Sequence, residues 1–418
     1  MTSQAAPLDS VRSGAFFTRE RVLIGAGTLA AWILLPVVYV MMTLETIYDS
    51  RGWPVGVDFG QVWAAGIMAL RGDAAAVYDF AAHYAVQQEL FGENAPYLLW
   101  LYPPNHLMVA GALATLPYLV ALTLWMGLTL MVWMAAVRAI VPGLPALLVA
   151  LAFPAVLMNL GYGQNGFLTA GLLGLALALL DRRPVLAGIF IGLLAYKPHF
   201  GMLIPIVLML SGRWTVFLSA AATVCALGAV TTAIFGADIW FAFIEATQGT
   251  REEVLEIGLA GWQRLQSIFA AVRNLGGPVE LAYAAQALVA LFCLASVSWL
   301  WWSRADQDLK SAGLAAAALL TTPYVLDYDH MVMGVAYAFL IRYGMRHGFL
   351  PWEAAGIVFM GVMAFFYQDF GLLGIPMGFS CAFATLLLAL GKARMSLRAE
   401  KAGGDMAMAA GVDRAGHR

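Results

Sequence analysis

The feature that most constrains this chain is a series of apolar runs, each about as long as a helix that crosses a lipid bilayer. A bilayer-spanning α-helix needs about 20 predominantly apolar residues. Clear candidates lie at 23–44, 119–138, 140–160, 163–181, 214–235, 278–302, 349–367 and 370–391. Charged residues make up only 11% of the chain, against roughly 25% in soluble proteins, so they cannot cover a soluble globule of this length. The sequence therefore predicts an all-α polytopic membrane protein.

Two further pairs of apolar segments are shorter, and each pair is interrupted by a proline. The pairs are 184–197 with 199–211, broken at Pro198, and 311–325 with 327–342, broken at Pro323. Proline removes a backbone donor and disrupts the helical hydrogen bonds around it. With these pairs included, we expect about twelve transmembrane helices in a single domain over residues 23–391.

Basic residues are concentrated in particular loops and predict the orientation, because cytoplasmic loops of membrane proteins are enriched in lysine and arginine. The loops expected to be cytoplasmic carry Arg138, Arg182, Arg183, Arg213, Arg304, Lys310, Arg342, Arg346 and the basic residues of 392–401. Segment 1–22 and the tail 392–418 are then cytoplasmic, and the composition of the tail predicts disorder. Loops 45–118 and 236–277 face the opposite, outer side.

The same orientation predicts where several unusual segments lie. Arg138 is cytoplasmic only if residues 101–138 cross the membrane once, so we expect the short run 106–116 to form a re-entrant or interfacial helix. The unusual segments then lie together on the outer side, at 161–166, 196–200 and 323–330. We expect these segments to converge, although 161–166 also suits a simple tight turn between spans.

Polar side chains accumulate on the predicted outer side, beside the apolar runs. Ionisable groups in or next to a membrane span are costly, which makes them candidates for function. The set comprises Asp58, Tyr102, Asn105, His106, Gln164, Asn165, Lys197, His199, Arg264, Gln266, Asp327, Asp329 and His330. We therefore expect a polar cavity that opens to the outer side.

Asp58 begins a short segment with apolar residues at helical spacing. The apolar positions suit a helix lying on the membrane surface and are Phe59, Trp63, Ile67 and Leu70. One interpretation makes Asp58 the N-cap of this helix, with Gln61 completing a capping box. The other makes Asp58 a general base, which takes the proton of a sugar hydroxyl as that hydroxyl attacks an anomeric carbon. The two roles are compatible.

Lys197 lies between two short apolar segments and beside Pro198. A lysine in such a position can simply extend its ammonium group to the membrane interface. The proline, however, leaves backbone groups without helical partners, which is tolerated mainly where a segment lines a cavity. A lysine there would bind a lipid phosphate and stabilise the negative charge on a departing phosphate.

Two carboxylates and a histidine follow Pro323 at close spacing. Asp327, Asp329 and His330 offer ligands for a divalent ion, but their spacing matches no known metal motif. Phosphate or substrate binding by His330 is favoured, with helix capping by Asp327 as the alternative. We expect no cofactor and no resident metal. The net charge of −2 also gives no basic surface for nucleic acid.

Taken in order, several short motifs resemble glycosyltransferase family 87, a group of polyprenol-phosphate-mannose-dependent mannosyltransferases with a GT-C fold. The motifs are Asp58-Phe59, Trp63-Ala64-Ala65, Gly72, Tyr78-Asp79, Tyr102-Pro103-Pro104, Leu116-Pro117-Tyr118, Gly163-Gln164-Asn165, Lys197-Pro198, Gln266-Ser267 and His330. Each motif is short, and their order over about residues 20 to 345 carries the resemblance. The chain departs from the family pattern around residues 327–330, where relatives often have a tryptophan and paired histidines.

The resemblance implies a GT-C-type membrane enzyme, with short interfacial helices in its first outer loop. It would transfer a hexose, expected to be mannose, from a polyprenyl-phosphate donor to a lipid or glycan acceptor with inversion. Asp58 would be the base, with Lys197, His199 and His330 around the donor phosphate. The positions expected to bind substrate are Trp63, Tyr102, Asn105, His106, Gln164, Asn165, Arg264, Gln266, Ser267, Asp327 and Asp329. We expect this enzyme in the plasma (inner) membrane, and a lipid transporter or flippase without transferase activity is the alternative.

Overall fold

The computed structural model describes residues 7–415 of the chain apart from positions 45, 50 and 260, and it describes side chains up to residue 402, except that of residue 250. Helices make up 78% of the described residues. The described residues form no extended strand, only two isolated β-bridges. The predicted all-α class is therefore confirmed. Of the tail expected to be disordered, 392–418, the residues up to Ala415 continue a helix, and 416–418 lie outside the described residues.

The α-helices of the described residues follow one another along the whole chain. They are α1 (Pro7–Ser13), α2 (Arg19–Thr43), α3 (Val57–Leu70), α4 (Phe80–Phe91), α5 (Pro104–Ala114), α6 (Tyr118–Ile140), α7 (Leu144–Ala152), α8 (Ala155–Tyr162), α9 (Gly166–Leu179), α10 (Pro184–Leu193), α11 (Ile204–Leu210), α12 (Trp214–Phe235), α13 (Asp238–Thr250), α14 (Ile268–Asn274), α15 (Val279–Trp302), α16 (Gln307–Thr321), α17 (Met331–His347), α18 (Glu353–Val362), α19 (Tyr367–Leu372) and α20 (Met377–Ala415). Short 3₁₀ segments lie at Ala75–Tyr78, Leu194–Tyr196, Pro198–Gly201, Asp327–His330 and Met363–Phe366, and Arg251–Glu256 is π-helical. The breaks predicted at the two prolines are both present.

Among the described residues, six helical stretches are long and apolar enough to cross a bilayer. They are α2, α6, α12, α15, the stretch from α18 to α19, and α20 up to Ala402. The pair α7 and α8, bent by 59°, raises the number to seven if it forms one crossing. The chain is thus a helical membrane protein. The other expected crossings fall on shorter helices, so the total of about twelve stays a prediction.

The predicted boundaries of three spans were wrong. In each case the predicted run continued across a residue that interrupts the helix. The run 140–160 is two helices, since Pro154 cannot continue α7. The predicted run 163–181 begins too early, because Gly163, at a φ of 72°, ends α8 in the left-handed conformation and the next helix starts at Gly166. The run 370–391 begins instead at Met377, directly after Pro376.

Small residues lie at the closest contacts between helices, as is typical of membrane proteins. Gly188 and Gly192 of α10 face α12, and a Cβ atom at either position would overlap Ser219 or Thr223. In the first long loop, Gly66 of α3 lies directly against the backbone of α5, where an added Cβ would overlap the Ala110 carbonyl. The two short helices of this loop therefore form one tightly packed unit.

We expect Gly66→Ala to lower the free energy of unfolding by about 1–3 kcal/mol, because the added methyl group forces α3 and α5 apart. Thermal unfolding in detergent measures the effect. Gly111→Ala in α5 is the matched control, since nothing lies within 4 Å of an added Cβ at Gly111, and alanine is the better helix former. Equal stability of the two variants would contradict the close packing of α3 on α5.

Residues from the loops with predicted cytoplasmic arginines meet at one end of the helices. Asp308, at the start of α16, is 1% exposed and accepts hydrogen bonds from Arg342 and Arg346, at the end of α17. Arg213, before α12, pairs with Asp181 at 2.5 Å. The charge pattern thus grouped these loops correctly, and we name this region the arginine-rich end.

Candidate active site

The three segments expected to converge meet at the other end of the helices. Asn159 links segment 161–166 to segment 323–330, because its side chain accepts from the Gly166 amide at 2.8 Å and donates to the Tyr328 carbonyl at 3.1 Å. Lys197, in segment 196–200, pairs with Asp329, in segment 323–330, at 2.6 Å. The predicted convergence is confirmed.

These segments and the first long loop enclose a cavity of about 480 Å³. Most of its wall comes from residues 51–61, 96–103, 162–164, 196–199, 243–264 and 324–328. The predicted site residues that line it are Asp58, Tyr102, Gln164, Lys197, His199 and Arg264. Residues far apart in the sequence therefore share one chamber.

Helix α3 presents Asp58 to the cavity. The N-cap of this helix is Gly56, whose φ of 67° is accessible to glycine at little cost. Asp58 follows within the first turn, so the interpretation of Asp58 as the N-cap is wrong. A carboxylate in this turn is favoured by the partial positive charge at the helix N-terminus.

Two side chains hold one carboxylate oxygen of Asp58. Gln164 Nε2 donates to Oδ2 at 2.9 Å, and Arg264 Nη2 lies 3.4 Å from the same atom. Among the described residues, no hydrogen bond involves Oδ1. Asp58 is only 6% exposed, so its orientation is fixed while one oxygen remains available to a ligand in the cavity.

Arg264 is itself held by Asp327 and Tyr162. Its Nε lies 3.6 Å from Asp327 Oδ2, and its guanidinium carbon lies 4.5 Å from the centroid of the Tyr162 ring. Burial disfavours the charged guanidinium, but Asp327 and Asp58 outweigh burial and raise the pKa of Arg264 above its ordinary value. Arg264 is therefore a permanent cation beside Asp58 and compensates its negative charge.

Lys197 projects from the break between α10 and α11. It pairs with Asp329, and the two side chains are 5% and 1% exposed, which contradicts the interpretation of Lys197 as a lysine reaching the membrane interface. Its Nζ also lies 4.8 Å from the centroid of the Tyr328 ring. Next to it, His199 Nε2 is buried without a hydrogen-bond partner among the described residues. Two nitrogen groups suited to an anion thus lie on one wall.

Much of the remaining wall was not predicted from the sequence. It consists of the aromatic residues Trp53, Tyr78, Tyr97, Trp100, Tyr162, Phe243, Tyr324 and Tyr328, together with Gln61. Gln61 Oε1 is buried without a partner among the described residues. Its spacing from Asp58 was an available signal, since residues i and i+3 share a helix face. Tyr78 belongs to one of the motifs that resemble the family, but the other aromatic residues gave no signal, because tyrosine and tryptophan are common wherever a membrane protein meets the interface.

Nine predicted site residues do not line the cavity. They are Trp63, Asn105, His106, Asn165, Gln266, Ser267, Asp327, Asp329 and His330. Several lie directly behind the wall and support residues that do line it. Asn165 donates to Tyr102 Oη at 2.7 Å, and His106 stacks on Tyr196 with ring centroids 5.0 Å apart. Asp327 and Asp329 likewise hold the two cations of the site.

Other predicted residues have roles in holding the fold together. Trp63 Nε1 donates to the Leu116 carbonyl at 3.1 Å and ties α3 to the end of α5. Ser267 caps α14, since its side chain accepts from the Ala270 amide. Gln266 Oε1 accepts from the Gly378 amide at 3.0 Å at the start of α20. None of these three side chains lines the cavity.

His330 lies on the far side of the 3₁₀ turn from the cavity. Its ring packs against Tyr367 with centroids 4.9 Å apart, and its Nδ1 lies 3.3 Å from the Leu326 carbonyl oxygen. The turn points Asp329 toward Lys197, so His330, the next residue, points away from Lys197. The structure therefore does not place His330 with Lys197 around one phosphate.

The two carboxylates of this turn also face different partners. Asp327 faces Arg264, whereas Asp329 faces Lys197. In the part of the chain that the structure describes, no group of three or more His, Cys, Asp or Glu side chains is placed to hold a metal ion.

Fold and site together define a helical membrane protein whose interrupted helices bring acidic and basic groups into one cavity. Such groups in membrane proteins serve transport or catalysis. Residues 100–323 match the family model of glycosyltransferase family 87. The chain belongs to this family and is a membrane glycosyltransferase. No curated protein and no solved structure matches the chain.

The matched region covers only part of the site. It contains Gln164, Lys197 and Arg264, whereas Asp58 and Asp329 lie outside residues 100–323. Family membership therefore gives the enzyme class, and the contacts around Asp58 come from the structure.

Proposed function

We propose that this glycosyltransferase moves a hexose, expected to be mannose, from a polyprenyl-phosphate donor to a lipid or glycan acceptor, with inversion of the anomeric centre. The observation that supports this proposal is the single cavity lined by Asp58 and Lys197. When a hydroxyl displaces a phosphate, a base that accepts the hydroxyl proton and a cation that stabilises the leaving group both accelerate the reaction.

In the proposed reaction the acceptor hydroxyl lies against Asp58 Oδ1, the oxygen with no partner among the described residues. Its oxygen attacks the anomeric carbon, the bond from that carbon to the phosphate oxygen breaks, and the hydroxyl proton passes to Asp58. The electron pair stays on the phosphate, whose charge Lys197 and His199 stabilise. Attack from the face opposite the phosphate converts a β-linked donor into an α-glycoside.

Gln164 and Arg264 act in this proposal as positioning residues. Because both approach Oδ2, they direct Oδ1 toward the acceptor. Arg264 also compensates the negative charge of the carboxylate. The sugar rings are expected to contact Tyr102 and the aromatic wall, since aromatic side chains combine a flat apolar face with a polar edge.

A membrane-anchored donor follows from the expected orientation. Nucleotide sugars are charged and cytoplasmic, so an active site on the outer side needs a donor carried by the lipid bilayer. The cavity lies at the end of the helices opposite the arginine-rich end, which supports an outer site because cytoplasmic loops are enriched in basic residues. We propose a GT-C-type architecture with about twelve crossings in the plasma (inner) membrane. Transport without transfer is not proposed, since the family is one of transferases.

Transfer can be tested with purified protein in detergent, a synthetic prenyl-phosphate mannose carrying a radiolabel, and a lipid extract as the source of acceptor. We expect label to move from the donor to a new glycolipid or glycan with α-linkage. Transfer from a nucleotide sugar, with none from any prenyl-phosphate donor, would overturn the proposed donor class. A β-linked product from a β-linked donor would overturn single displacement.

The orientation can be tested by cysteine labelling in a Cys225→Ser background, which removes the exposed native thiol. We expect Glu93→Cys, in the first long loop, to react with a membrane-impermeant thiol reagent in intact cells. Arg182→Cys, in an arginine-rich loop, is expected to react only after permeabilisation. Both positions are exposed, so reactivity reports the side of the membrane. The reverse labelling pattern would place the cavity in the cytoplasm.

A further inference from the structure

The cation assigned to the donor phosphate already has a counter-ion in this structure. Lys197 Nζ lies 2.6 Å from Asp329 Oδ1, and both side chains are almost fully buried. An incoming phosphate would therefore meet a neutral pair rather than a free lysine. Asp329 does not line the cavity, whereas Lys197 does, so the carboxylate approaches the ammonium group from behind.

The carboxylate of Asp329 is more firmly fixed than the ammonium group of Lys197. Its other oxygen, Oδ2, accepts from the Leu326 amide at 3.1 Å and so ties the side chain to the 3₁₀ turn that carries it. Lys197 ends a flexible stem of four methylene groups, and its Nζ faces the rings of Tyr328 at 4.8 Å and Phe200 at 5.8 Å. The ammonium group can therefore turn toward the cavity while the carboxylate stays in place.

We propose that Asp329 is an internal counter-ion that competes with the phosphate of donor and product for Lys197. This proposal rests on the proposed function and deepens it, because it assigns a cause to product release. When the donor binds, Lys197 exchanges Asp329 for the phosphate, with His199 as a second contact. After transfer, the fixed carboxylate draws Lys197 back and repels the prenyl phosphate, which leaves. No covalent bond changes in either exchange.

The variant that tests this inference is Asp329→Asn, which removes the negative charge and keeps the shape of the side chain. We expect purified Asp329→Asn to bind inorganic phosphate and a short prenyl phosphate at least about tenfold more tightly than the wild type, which corresponds to about 1.4 kcal/mol. The prenyl phosphate should also become a stronger product inhibitor, and kcat should fall because release is slower. Asp329→Glu keeps the charge and should bind both anions more weakly than Asp329→Asn.

A matched control exists at the arginine-rich end. Lys392 pairs with Glu353 at 2.5 Å, the two side chains are 4% and 1% exposed, and Lys392 Nζ lies 4.9 Å from the Tyr343 ring centroid. Glu353→Gln removes the counter-ion of an equally buried lysine outside the cavity. We expect it to leave phosphate affinity unchanged. If Glu353→Gln also bound phosphate more tightly, the tighter binding by Asp329→Asn would be an effect of net charge alone, and the inference would be overturned.

The remaining outcomes separate this inference from the proposed function. Weaker anion binding in Asp329→Asn would show that Asp329 holds Lys197 in place, and it would overturn the inference. Failure of both wild type and Asp329→Asn to bind either anion would overturn it too. If anion affinity rises as expected while no prenyl-phosphate sugar is consumed, the counter-ion role stands and the proposed donor is wrong.

Discussion

Asp58→Asn is expected to lower kcat/KM for sugar transfer by at least about 100-fold, because general-base catalysis typically contributes factors of 10² to 10⁴. Asparagine keeps the shape of the side chain, so Gln164 can rotate its amide and retain a hydrogen bond. Asparagine cannot accept the proton of the acceptor hydroxyl. Donor binding should change little, since the phosphate is expected at Lys197. Initial rates at saturating prenyl-phosphate donor and varied acceptor concentration measure the loss, as kcat/KM for the acceptor.

Asp308→Asn is the matched control for Asp58→Asn. Asp308 is also buried and also bonded to arginine side chains, but it lies at the arginine-rich end. We expect it to lower stability, because it leaves Arg342 without a compensating charge, whereas Arg346 keeps its ion pair with Asp306. Transfer by the protein that remains folded should be near that of the wild type. Near-wild-type transfer by Asp58→Asn itself would remove Asp58 from the chemistry.

Lys197→Met is the second substitution with a large expected effect. Methionine has a similar length and no charge, so the donor phosphate loses its cation and the KM for the donor rises by about 10-fold or more. This factor follows from charge-assisted hydrogen bonds that contribute about 1.5–3 kcal/mol. The buried carboxylate of Asp329 also loses its partner, which should cost about 3–5 kcal/mol of stability. Donor titrations and thermal unfolding measure the two effects separately.

Lys392→Met separates loss of function from loss of stability. It breaks the ion pair with Glu353, which matches the Lys197 pair in distance and burial. We expect both methionine variants to be destabilised to a similar degree, with a raised donor KM only for Lys197→Met. If the KM for the acceptor rose instead of that for the donor, the assignment of Lys197 to the phosphate would be wrong.

Local properties of the sequence determined the class of fold and the main interruptions of its helices. The run 214–235 predicted the bounds of α12, because a bilayer demands a stretch of apolar residues whatever the rest of the chain does. Proline at 198 and 323 marked two breaks, since proline lacks the backbone N–H of a helix. Charge placement also grouped the loops at the two ends of the helices. Asp58 and Lys197 stood out in the sequence because charged groups are costly beside a membrane.

Only the tertiary structure decided which of these groups act together. Asp58 meets Arg264 across 206 residues of sequence, and Lys197 meets Asp329 across 132. No local pattern encodes such pairings, because they depend on how separate helices pack and in which direction each break turns. The 3₁₀ turn before α17 aims Asp329 at Lys197 and His330 away from it, although the two are neighbours in sequence. Composition and spacing thus identify residues that are costly to bury, and the packing of the helices selects the partners that stabilise them.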